Sequence, residues 1–380
     1  MQTNDGQSTE QVPGFRIFEL GRLATGGGCV SAVELTAGKF KAAFINYGAR
    51  LLYMHMDDRR GAVGNILLRY DTVYGYEKDN AYLGATIGRV ANRISQGQFD
   101  FDGETYILPV NETKGGNHLH GGPKGLHTHL WSMRVLRFHE GPDRIGVEFS
   151  TEEADSAQGY PGRANFKARY ILSASGELAT EYVTTCGQKT VSDLTNHAYW
   201  NLSSRAKEGA TVKGHLLKMN ASQYLETDGK MIPTGELIRV DGTSLDFRNV
   251  ASIEQHLDEM ADGELDHYFV IDDDAPVLHT WVGGENVELR HAATLEHPGT
   301  GRELEVFTDQ PGLQVYSANR LSRISQGRWR DYGALCLEAQ GYPNSVNEPD
   351  FPSIEVAPDV PRVQRTVWRF SLQDQDHSVY

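Results

Sequence analysis

The chain has 380 residues, of which 23% are charged and 39% are hydrophobic, and its formal net charge at pH 7 is -15. This composition is typical of a globular protein in water, and the negative charge argues against nucleic acid or an anionic membrane as a partner. No run of about 18 apolar residues occurs, so the sequence predicts no membrane-spanning segment.

The cysteines indicate the cellular compartment. Cys29, Cys186 and Cys336 lie far apart and form no Cys-x-x-Cys motif. This pattern predicts reduced thiols in a cytoplasmic protein, and neither a disulfide framework nor a zinc site. Residues 1–13 are polar, with no basic start and no apolar stretch, so we expect no secretory signal there.

In chain order, the sequence predicts one large all-β domain. We interpret residues 1–14 as a flexible N-terminal tail and residues 15–380 as a single domain, because no Pro- or Ser-rich linker divides the chain. From Phe15 onward, short runs rich in Val, Ile, Tyr and Phe alternate with Gly, Asn and Asp. Residues 98–108 predict a hairpin whose turn is Asp102-Gly103. This turn sets Phe99 opposite Tyr106.

About sixteen strands and almost no helix are predicted, which is typical of a large antiparallel sandwich. Only residues 253–260 indicate a helix, through apolar side chains at Ile253, Leu257 and Met260. The other predicted strands lie at 41–52 (two strands around a glycine), 131–138, 145–150, 165–172, 178–186, 215–219, 268–271, 287–295, 303–308, 313–317, 333–340 and 366–371. In such an architecture we expect the functional residues to lie on the loops and on one concave face.

The stretch from Val191 to Leu202 indicates a polar binding site. With the period of two of a strand, it separates into an apolar face and a face of hydrogen-bonding groups. The apolar face holds Leu194, Ala198, Trp200 and Leu202, and the polar face holds Asp193, Thr195, His197, Tyr199 and Asn201. A strand with its polar face in water is the alternative, but such faces more often carry Lys, Glu and Thr. We therefore take His197 as a candidate acid/base group.

The segment Gly88–Ile94 contributes Asn92 and Arg93 as candidate binding residues. Because neighbouring side chains of a strand point to opposite faces, both reach one site only if the chain bends there. The alternative is that Arg89 and Arg93 are a pair of surface arginines.

The segment from Asn117 to Gly122 contains His118 and His120, which would share one face of a strand. They could bind a metal, but no third ligand is evident, and zinc sites need three or four, so we predict none. The glycines after His120 fit a backbone that approaches a ligand closely.

Three polar residues precede or interrupt apolar strands later in the chain. Asp266 comes before one strand and Gln314 lies within another. An aspartate in a turn is the common alternative for Asp266. Glu338 is the strongest candidate, because burial in Leu335–Gln340 would raise its pKa and make it a usable base. A glutamate facing solvent on an edge strand is its alternative.

Taken in order, these segments resemble those of the aldose 1-epimerase, or galactose mutarotase, family over nearly all of residues 15–372. The resemblance is carried by Gly-Arg-Val-Ala-Asn-Arg-Ile at 88–94, Leu-His-Gly-Gly at 119–122, Gly-Tyr-Pro-Gly at 159–162, Leu-Thr-Asn-His-Ala-Tyr-Trp-Asn-Leu at 194–202, Ile-Pro-Thr-Gly-Glu at 232–236, Leu-Asp-His at 265–267, Thr-Asp-Gln-Pro-Gly-Leu-Gln-Val-Tyr at 308–316, Leu-Glu-Ala-Gln at 337–340 and Asn-Glu-Pro-Asp-Phe-Pro at 347–352. Each motif alone is weak, but their order is specific. Trp200 stands where phenylalanine is usual, on the predicted core face.

The resemblance implies a galactose mutarotase-like β-supersandwich and an isomerase that interconverts the α and β anomers of free aldohexoses such as glucose and galactose. It implies a small aldose as partner and neither cofactor nor metal. It assigns the general acid to His197 and the general base to Glu338. The implied sugar-binding residues are Asn92, Arg93, His120, Asp266 and Gln314.

The implied reaction sets an expectation for pH dependence. Ring opening removes a proton from the C1 hydroxyl and delivers one to the ring oxygen, so kcat/KM should follow a bell. We expect the acid limb to belong to a carboxylate and the alkaline limb to an imidazole. This assignment requires a His197 pKa above the usual value of about 6.5.

Three other functions remain open at this point. A hexose-6-phosphate epimerase would need basic residues beyond Arg93. A non-catalytic sugar-binding sandwich would need no imidazole beside a buried carboxylate. A glycosidase would pair Glu338 with Asp266 as two carboxylates. The sequence does not give the preferred aldose or the oligomeric state.

Overall fold

The computed structural model describes residues 12–24, 26–139 and 141–373, most of them in strands and tight turns. Residues 1–11 of the predicted tail lie outside the described residues, and the first strand begins at Gly14. In the described ranges, no helix is long and apolar enough to cross a membrane.

Three antiparallel sheets hold most of the strands. The five-stranded sheet has the order Gly14–Arg22, Cys29–Ala37, Phe40–Ile45, Arg50–Asp57 and Val63–Asn65. The ten-stranded sheet has the order Ser132–Arg137, Arg144–Glu153, Ala164–Ser173, Glu177–Cys186, Arg362–Leu372, Arg302–Thr308, Glu285–His297, Leu216–Met219 and Ala251–Ser252, with Val277–Val282 paired to Glu285–His297. The six-stranded sheet has the order Tyr199–Trp200, Leu335–Gln340, Gly312–Tyr316, Asp266–Val270, Gln223–Thr227 and Pro233–Arg239.

Short strand pairs and helices connect the three sheets. The pairs are Arg93–Ile94 with His118–Leu119, Thr190–Val191 with Glu355–Val356, Thr86–Ile87 with Thr195–Asn196, and Gln98–Phe101 with Glu104–Ile107. The α-helices are Val73–Glu77, Ile253–Glu259 and Leu321–Ile324. The 3-10 turns are Ser95–Gly97, Leu126–Thr128, Ala157–Gly159, Ala206–Glu208, Val212–Gly214 and Ser345–Asn347. The predicted all-β sandwich is confirmed.

The main hydrophobic core draws side chains from all three large sheets. Cys29–Ala37 of the five-stranded sheet packs on Arg144–Glu153 of the ten-stranded sheet. Trp200 of the six-stranded sheet is fully buried against Trp368 and Phe370, with ring centroids 5.5 and 5.7 Å away. Its side chain therefore lies on the core side, as the sequence predicts.

The six-stranded sheet has one apolar face and one polar face. Trp200, Leu313 and Leu337 belong to the main core. Because side chains alternate along a strand, Tyr199, Gln314 and Glu338 point to the other face. The cross-strand register sets Gln314 opposite Glu338 and Tyr199 opposite Cys336. This register places the polar side chains of three strands next to one another.

Two local predictions are confirmed. The hairpin of Gln98–Phe101 and Glu104–Ile107 sets Phe99 opposite Tyr106. Its turn residue Asp102 has a φ of 48° and Gly103 a φ of 82°, as a two-residue turn of this kind requires. The predicted helix extends from Ile253 to Glu259, with the Ser252 side chain capping its start.

The prediction of one continuous strand over Val191–Leu202 is wrong. Thr195–Asn196 pairs with Thr86–Ile87, whereas Tyr199–Trp200 pairs with Leu335–Cys336 of another sheet. Both faces of the segment are buried, so its polar groups need internal partners. Asp193 accepts a hydrogen bond from the Gly341 backbone, 3.0 Å away, and Asn201 donates one to the Gly333 carbonyl, 2.8 Å away. These two residues hold chain segments together and do not face a groove.

Replacing Leu337 with alanine should destabilise the protein by about 2–5 kcal/mol, because the change removes buried methyl groups and leaves a cavity in the core. Leu337 is 2% exposed. Urea unfolding would measure the loss of free energy. Leu237→Ala in the same sheet is the matched control, since Leu237 is 39% exposed and its truncation should change stability by no more than about 0.5 kcal/mol. Equal losses would contradict the placement of the core face.

Candidate active site

A pocket of about 380 Å³ opens on the polar face of the six-stranded sheet. All seven residues predicted for catalysis and sugar binding line this pocket. They are Asn92, Arg93, His120, His197, Asp266, Gln314 and Glu338. A larger, more open groove of about 620 Å³ beside Trp281 contains none of them. The smaller pocket is therefore the candidate active site.

Glu338 lies at the base of the pocket, in the central strand Leu335–Gln340. Its side chain is buried, and its Oε2 has no hydrogen-bond partner within the protein. Burial, with a further contribution from the Asp266 carboxylate, raises the pKa of Glu338 well above its ordinary value of 4.5. The edge-strand alternative is thus wrong, and the carboxyl is a strong base once it is ionised.

The His197 imidazole faces Glu338, with Nε2 3.7 Å from Oε1. The gap is too long for a direct hydrogen bond, so Nε2 and Oε1 can both still form a hydrogen bond to a ligand. The chain reaches this position because it crosses between two sheets at Asn196–Tyr199. The backbone carbonyl of His197 accepts a hydrogen bond from Gly84, 2.9 Å away, which fixes the segment from behind.

A chain of amide hydrogen bonds connects three of the predicted sugar-binding residues. Asn92 Nδ2 donates to Gln314 Oε1 at 3.1 Å, and Gln314 Nε2 donates to Asp266 Oδ1 at 2.6 Å. Because the Gln314 amide is held at both ends, its orientation is fixed. Asp266 keeps a second carboxylate oxygen for a ligand hydroxyl.

The chain bend that Asn92 and Arg93 require is present. Asn92 has a φ of 58°, in the left-handed region, so consecutive side chains reach the same pocket. The Arg93 guanidinium binds Glu112 through Nε at 3.0 Å and Nη2 at 2.9 Å. This pair holds Arg93 in one orientation, with its Nη1 next to Asn92.

His120 enters the pocket from the turn that precedes two glycines. The Asn92 backbone N–H donates to His120 Nδ1 at 3.2 Å, so the neutral ring carries its proton on Nε2. Burial lowers the pKa of His120 well below 6.5, which keeps the ring neutral at neutral pH. His120 can thus donate a hydrogen bond from Nε2 to a neutral ligand.

The expected role of the glycines after His120 is wrong. A Cβ on Gly121 would lie 1.8 Å from the carbonyl oxygen of Gly88, and one on Gly122 would lie 2.7 Å from His118 Cε1. The close approach is therefore to the protein's own chain and not to a ligand.

His118 and His120 do not share a face, so the two rings do not form the metal-binding pair that their spacing in the sequence allows. His118 Nδ1 donates to the Pro109 carbonyl at 2.8 Å, and its Nε2 accepts from the Tyr160 hydroxyl at 2.8 Å. His120 instead has a φ of 53°, which turns its side chain into the pocket. His118 is a buried residue of the scaffold with both ring nitrogens satisfied.

The pKa of His197 is shifted in the opposite direction to the one expected from the sequence. Burial lowers it to about 3, and the Arg50 charge acts in the same direction. An alkaline limb that belongs to the imidazole requires a value above 6.5, which a negative charge beside the ring would favour. Glu338 does not supply that charge, because its own burial favours the protonated form.

Known proteins match this chain over most of its length. A family model described as aldose 1-epimerase matches residues 31–367. Galactose mutarotase of Bos taurus is 35% identical over 356 residues, which are 93% of this chain and 97% of the relative. Aldose 1-epimerase of Escherichia coli (strain K12) is 31% identical over 81% of this chain and 85% of its own. The crystal structure of galactose 1-epimerase from Lactobacillus acidophilus NCFM is 25% identical, with a TM-score of 0.79, over 95% of this chain and 99% of that chain.

The chain belongs to the aldose 1-epimerase family. Aldose 1-epimerases are isomerases that interconvert the anomers of aldose sugars, and a small aldose is therefore the substrate class of this enzyme. The resemblance drawn from the motifs is confirmed.

Two aromatic residues of the epimerase pocket are absent from the predicted site. Tyr82 and Tyr199 line the pocket and stack on the His197 ring, with centroids 5.9 and 5.0 Å away. Tyr199 is visible from the sequence as the strand neighbour of His197 at i+2. Tyr82 lies in an irregular loop and has a φ of 58°, so no periodicity marks it.

Among the described residues, His120, His197 and Glu338 each offer one ligand atom within 4.8 Å of the others. Two imidazoles and a carboxylate are a donor set that zinc accepts. However, His120 Nδ1 already accepts the Asn92 N–H, so a metal would have to displace the proton from Nε2. With its proton on Nε2, the His120 ring can bind a sugar hydroxyl more readily than a cation.

Exhaustive treatment of the enzyme with a metal chelator should therefore leave kcat and KM unchanged, since each of the three groups can take part in proton transfer or hydrogen bonding without a metal. Polarimetry before and after dialysis against the chelator would measure this. Loss of activity that one divalent metal restores would contradict the metal-free interpretation.

Proposed function

We propose that this enzyme interconverts the α and β anomers of free aldohexoses, such as glucose and galactose, with His197 and Glu338 as an acid/base pair that shares one proton. The observation that carries the proposal is the 3.7 Å separation of the imidazole and the carboxylate inside a pocket of hydroxyl-binding groups. The proposal needs no cofactor, because both proton transfers are within the reach of the two side chains.

The spacing of the pair suits the two oxygen atoms on C1 of an aldose ring. Glu338 as the carboxylate takes the proton from the C1 hydroxyl, while His197 as the imidazolium gives one to the ring oxygen. The C1–ring oxygen bond breaks, and the open aldehyde forms. After rotation about C1–C2, Glu338 returns its proton to the aldehyde oxygen as the ring closes on the other face and His197 regains its own. Each positioned group typically contributes about 10²- to 10⁴-fold in rate.

The remaining five residues are proposed to bind the sugar hydroxyls. Asp266 and Gln314 offer acceptors, and His120 and Arg93 offer N–H donors. Asn92 fixes the Gln314 amide, as described above. These groups suit a neutral polyol, which agrees with a substrate that carries no charge.

The pocket argues against one alternative function and offers basic side chains for another. A glycosidase would need two free carboxylates, but Asp266 Oδ1 is already held by Gln314 at 2.6 Å. A phosphosugar epimerase would need a basic subsite. The exposed Lys114 and Lys230 at the pocket mouth are the candidates for one. Polarimetry on α-glucose, α-galactose and glucose 6-phosphate separates the three functions.

We also propose that the protein is cytoplasmic and has neither nucleic acid nor a membrane as a partner. The support is that Cys29, Cys186 and Cys336 are all free thiols, which suits a reducing compartment. The net charge of -15 further disfavours polyanionic partners.

Glu338→Gln and His197→Asn should each lower kcat by about 10²-fold or more with little change in KM, because both groups act mainly in the transition state. Polarimetry on freshly dissolved α-galactose would give both constants. The double variant should be barely slower than the poorer single variant, since the pair acts as a unit.

Glu181→Gln is the matched control for these variants. Glu181 is 3% exposed and binds Arg169 and Arg365 on the ten-stranded sheet, away from the pocket. Its loss should lower stability and leave kcat intact. A catalytic variant that keeps more than about a tenth of the kcat of the wild type would contradict the role assigned to its residue.

The pH dependence of kcat/KM follows from the two pKa shifts. The working pair holds one proton, and it takes up a second at the imidazole only near pH 3. It loses its last proton from the carboxyl, whose pKa is raised well above 4.5. The wild type should therefore show a plateau through neutral pH, with an acid limb that belongs to the imidazole and an alkaline limb that belongs to the carboxyl. These limbs report the coupled pair.

His197→Asn provides the sharp test of this reversed assignment. In this variant Glu338 acts alone, and the residual activity requires its carboxylate form. The kcat/KM of the variant should therefore rise with pH over the range in which the kcat/KM of the wild type falls. Subtraction of the spontaneous rate at each pH isolates the enzyme's contribution. If the residual activity instead rises near the ordinary carboxyl pKa of 4.5, the reversed assignment is wrong.

A further inference from the structure

His197 must carry a positive charge during ring opening, yet its surroundings oppose that charge. The side chain is buried, and burial lowers its pKa to about 3. The Glu338 carboxylate is the nearest anion, but at 3.7 Å it makes no direct hydrogen bond to the ring. Groups packed against the faces of the ring can add to the stabilisation of the imidazolium.

Two tyrosine rings are in position to do so. Tyr199 stacks on His197 at 5.0 Å with an interplanar angle of 10°, and Tyr82 stacks at 5.9 Å with an angle of 20°. The face of an aromatic ring is electronegative and attracts a cation whose centre is within about 6 Å. The attraction is largest where water is excluded, as around this buried imidazole.

Tyr82 is held in this position by a buried ion pair. Arg50 Nη1 lies 2.6 Å from Asp79 Oδ2, and the two side chains are almost fully buried. Asp79 also accepts the backbone N–H groups of Ala81 and Leu83 at 2.9 and 2.7 Å, which are the two residues that flank Tyr82. The left-handed backbone of Tyr82 is thus fixed from both sides.

The same ion pair affects the charge on the imidazole. The positive charge of the Arg50 guanidinium opposes protonation of His197. Asp79 neutralises Arg50 at a distance of 2.6 Å. The carboxylate therefore both positions the Tyr82 ring and offsets the repulsion from Arg50.

We propose that Tyr82 and Tyr199 are positioning residues that stabilise the His197 imidazolium through their ring faces, and that the Arg50–Asp79 pair holds Tyr82 for this purpose. The inference rests on the proposed function, because it takes His197 as the general acid. It adds to that function a reason why a buried imidazole can act as an acid at neutral pH.

Replacement of Tyr82 by phenylalanine and then by mono-, di- and trifluorophenylalanine is the direct test. Fluorine weakens the negative face of the ring and leaves its shape nearly unchanged. With Tyr82→Phe as the reference, kcat should fall with each fluorine, by about 10-fold over the series, at constant KM. A purely structural role would give no dependence on fluorine number.

Tyr53 supplies the matched control. Its ring stacks on His55 at 4.5 Å with an angle of 14°, outside the pocket. The same series at position 53 should leave kcat unchanged. A flat series at position 82, together with inactive His197→Asn, would overturn the inference and leave the proposed function intact. Active His197→Asn would overturn both.

Asp79→Asn tests the supporting ion pair. The substitution should lower kcat about 10-fold with little change in KM, because it releases the Tyr82 loop and leaves the Arg50 charge uncompensated. Glu181→Gln, which also breaks buried arginine contacts, should lower stability without this loss of kcat. If Asp79→Asn does not fold, the fluorine series still decides the inference. An Asp79→Asn enzyme with normal kcat would exclude the role of the pair.

Discussion

The arrangement on which the rest of the site depends is the burial of an imidazole and a carboxyl 3.7 Å apart. Burial disfavours the charged form of each group, so the resting pair is neutral imidazole and neutral carboxyl. In the proposed mechanism, the form that opens the ring is the ion pair, in which the proton has moved from Glu338 to His197. Because the two forms differ only in the position of one proton, the pocket changes no net charge during the reaction. A neutral sugar can therefore bind and leave without a counter-ion.

The scaffold places this pair through the simple alternation of a strand. Leu337 enters the core and Glu338 the pocket, and the neighbouring strand repeats the pattern with Leu313 and Gln314. The cross-strand register then sets Gln314 directly opposite Glu338. A slip of one residue in either strand would exchange the core and pocket side chains. Stability and function thus depend on the same register.

The sequence predicts this part of the site well because its signals are local. A carboxylate within an apolar strand and an amide within another are visible without a fold, and all seven predicted side chains line one pocket. The predicted continuous strand over Val191–Leu202 is wrong because the period of two does not show where a chain leaves one sheet for another. The expectation of a raised pKa for His197 is wrong for a related reason. The direction of the pKa shift depends on how deeply the ring is buried, and the packing of distant segments decides that burial.

Tyr82 shows what sequence periodicity cannot show. Its loop has no repeating pattern, and its position follows from an ion pair whose members, Arg50 and Asp79, are 29 residues apart in the chain. A buried ion pair is weak evidence for stability, because desolvation offsets much of its attraction. Here the Asp79 carboxylate has a further use, since it binds the loop backbone on each side of Tyr82. The desolvation free energy of the pair is then explained by the position of the Tyr82 ring, which the pair holds against His197. An acid that is neutral at rest needs such a preformed surface, because the imidazolium exists only briefly and the protein cannot reorganise around it.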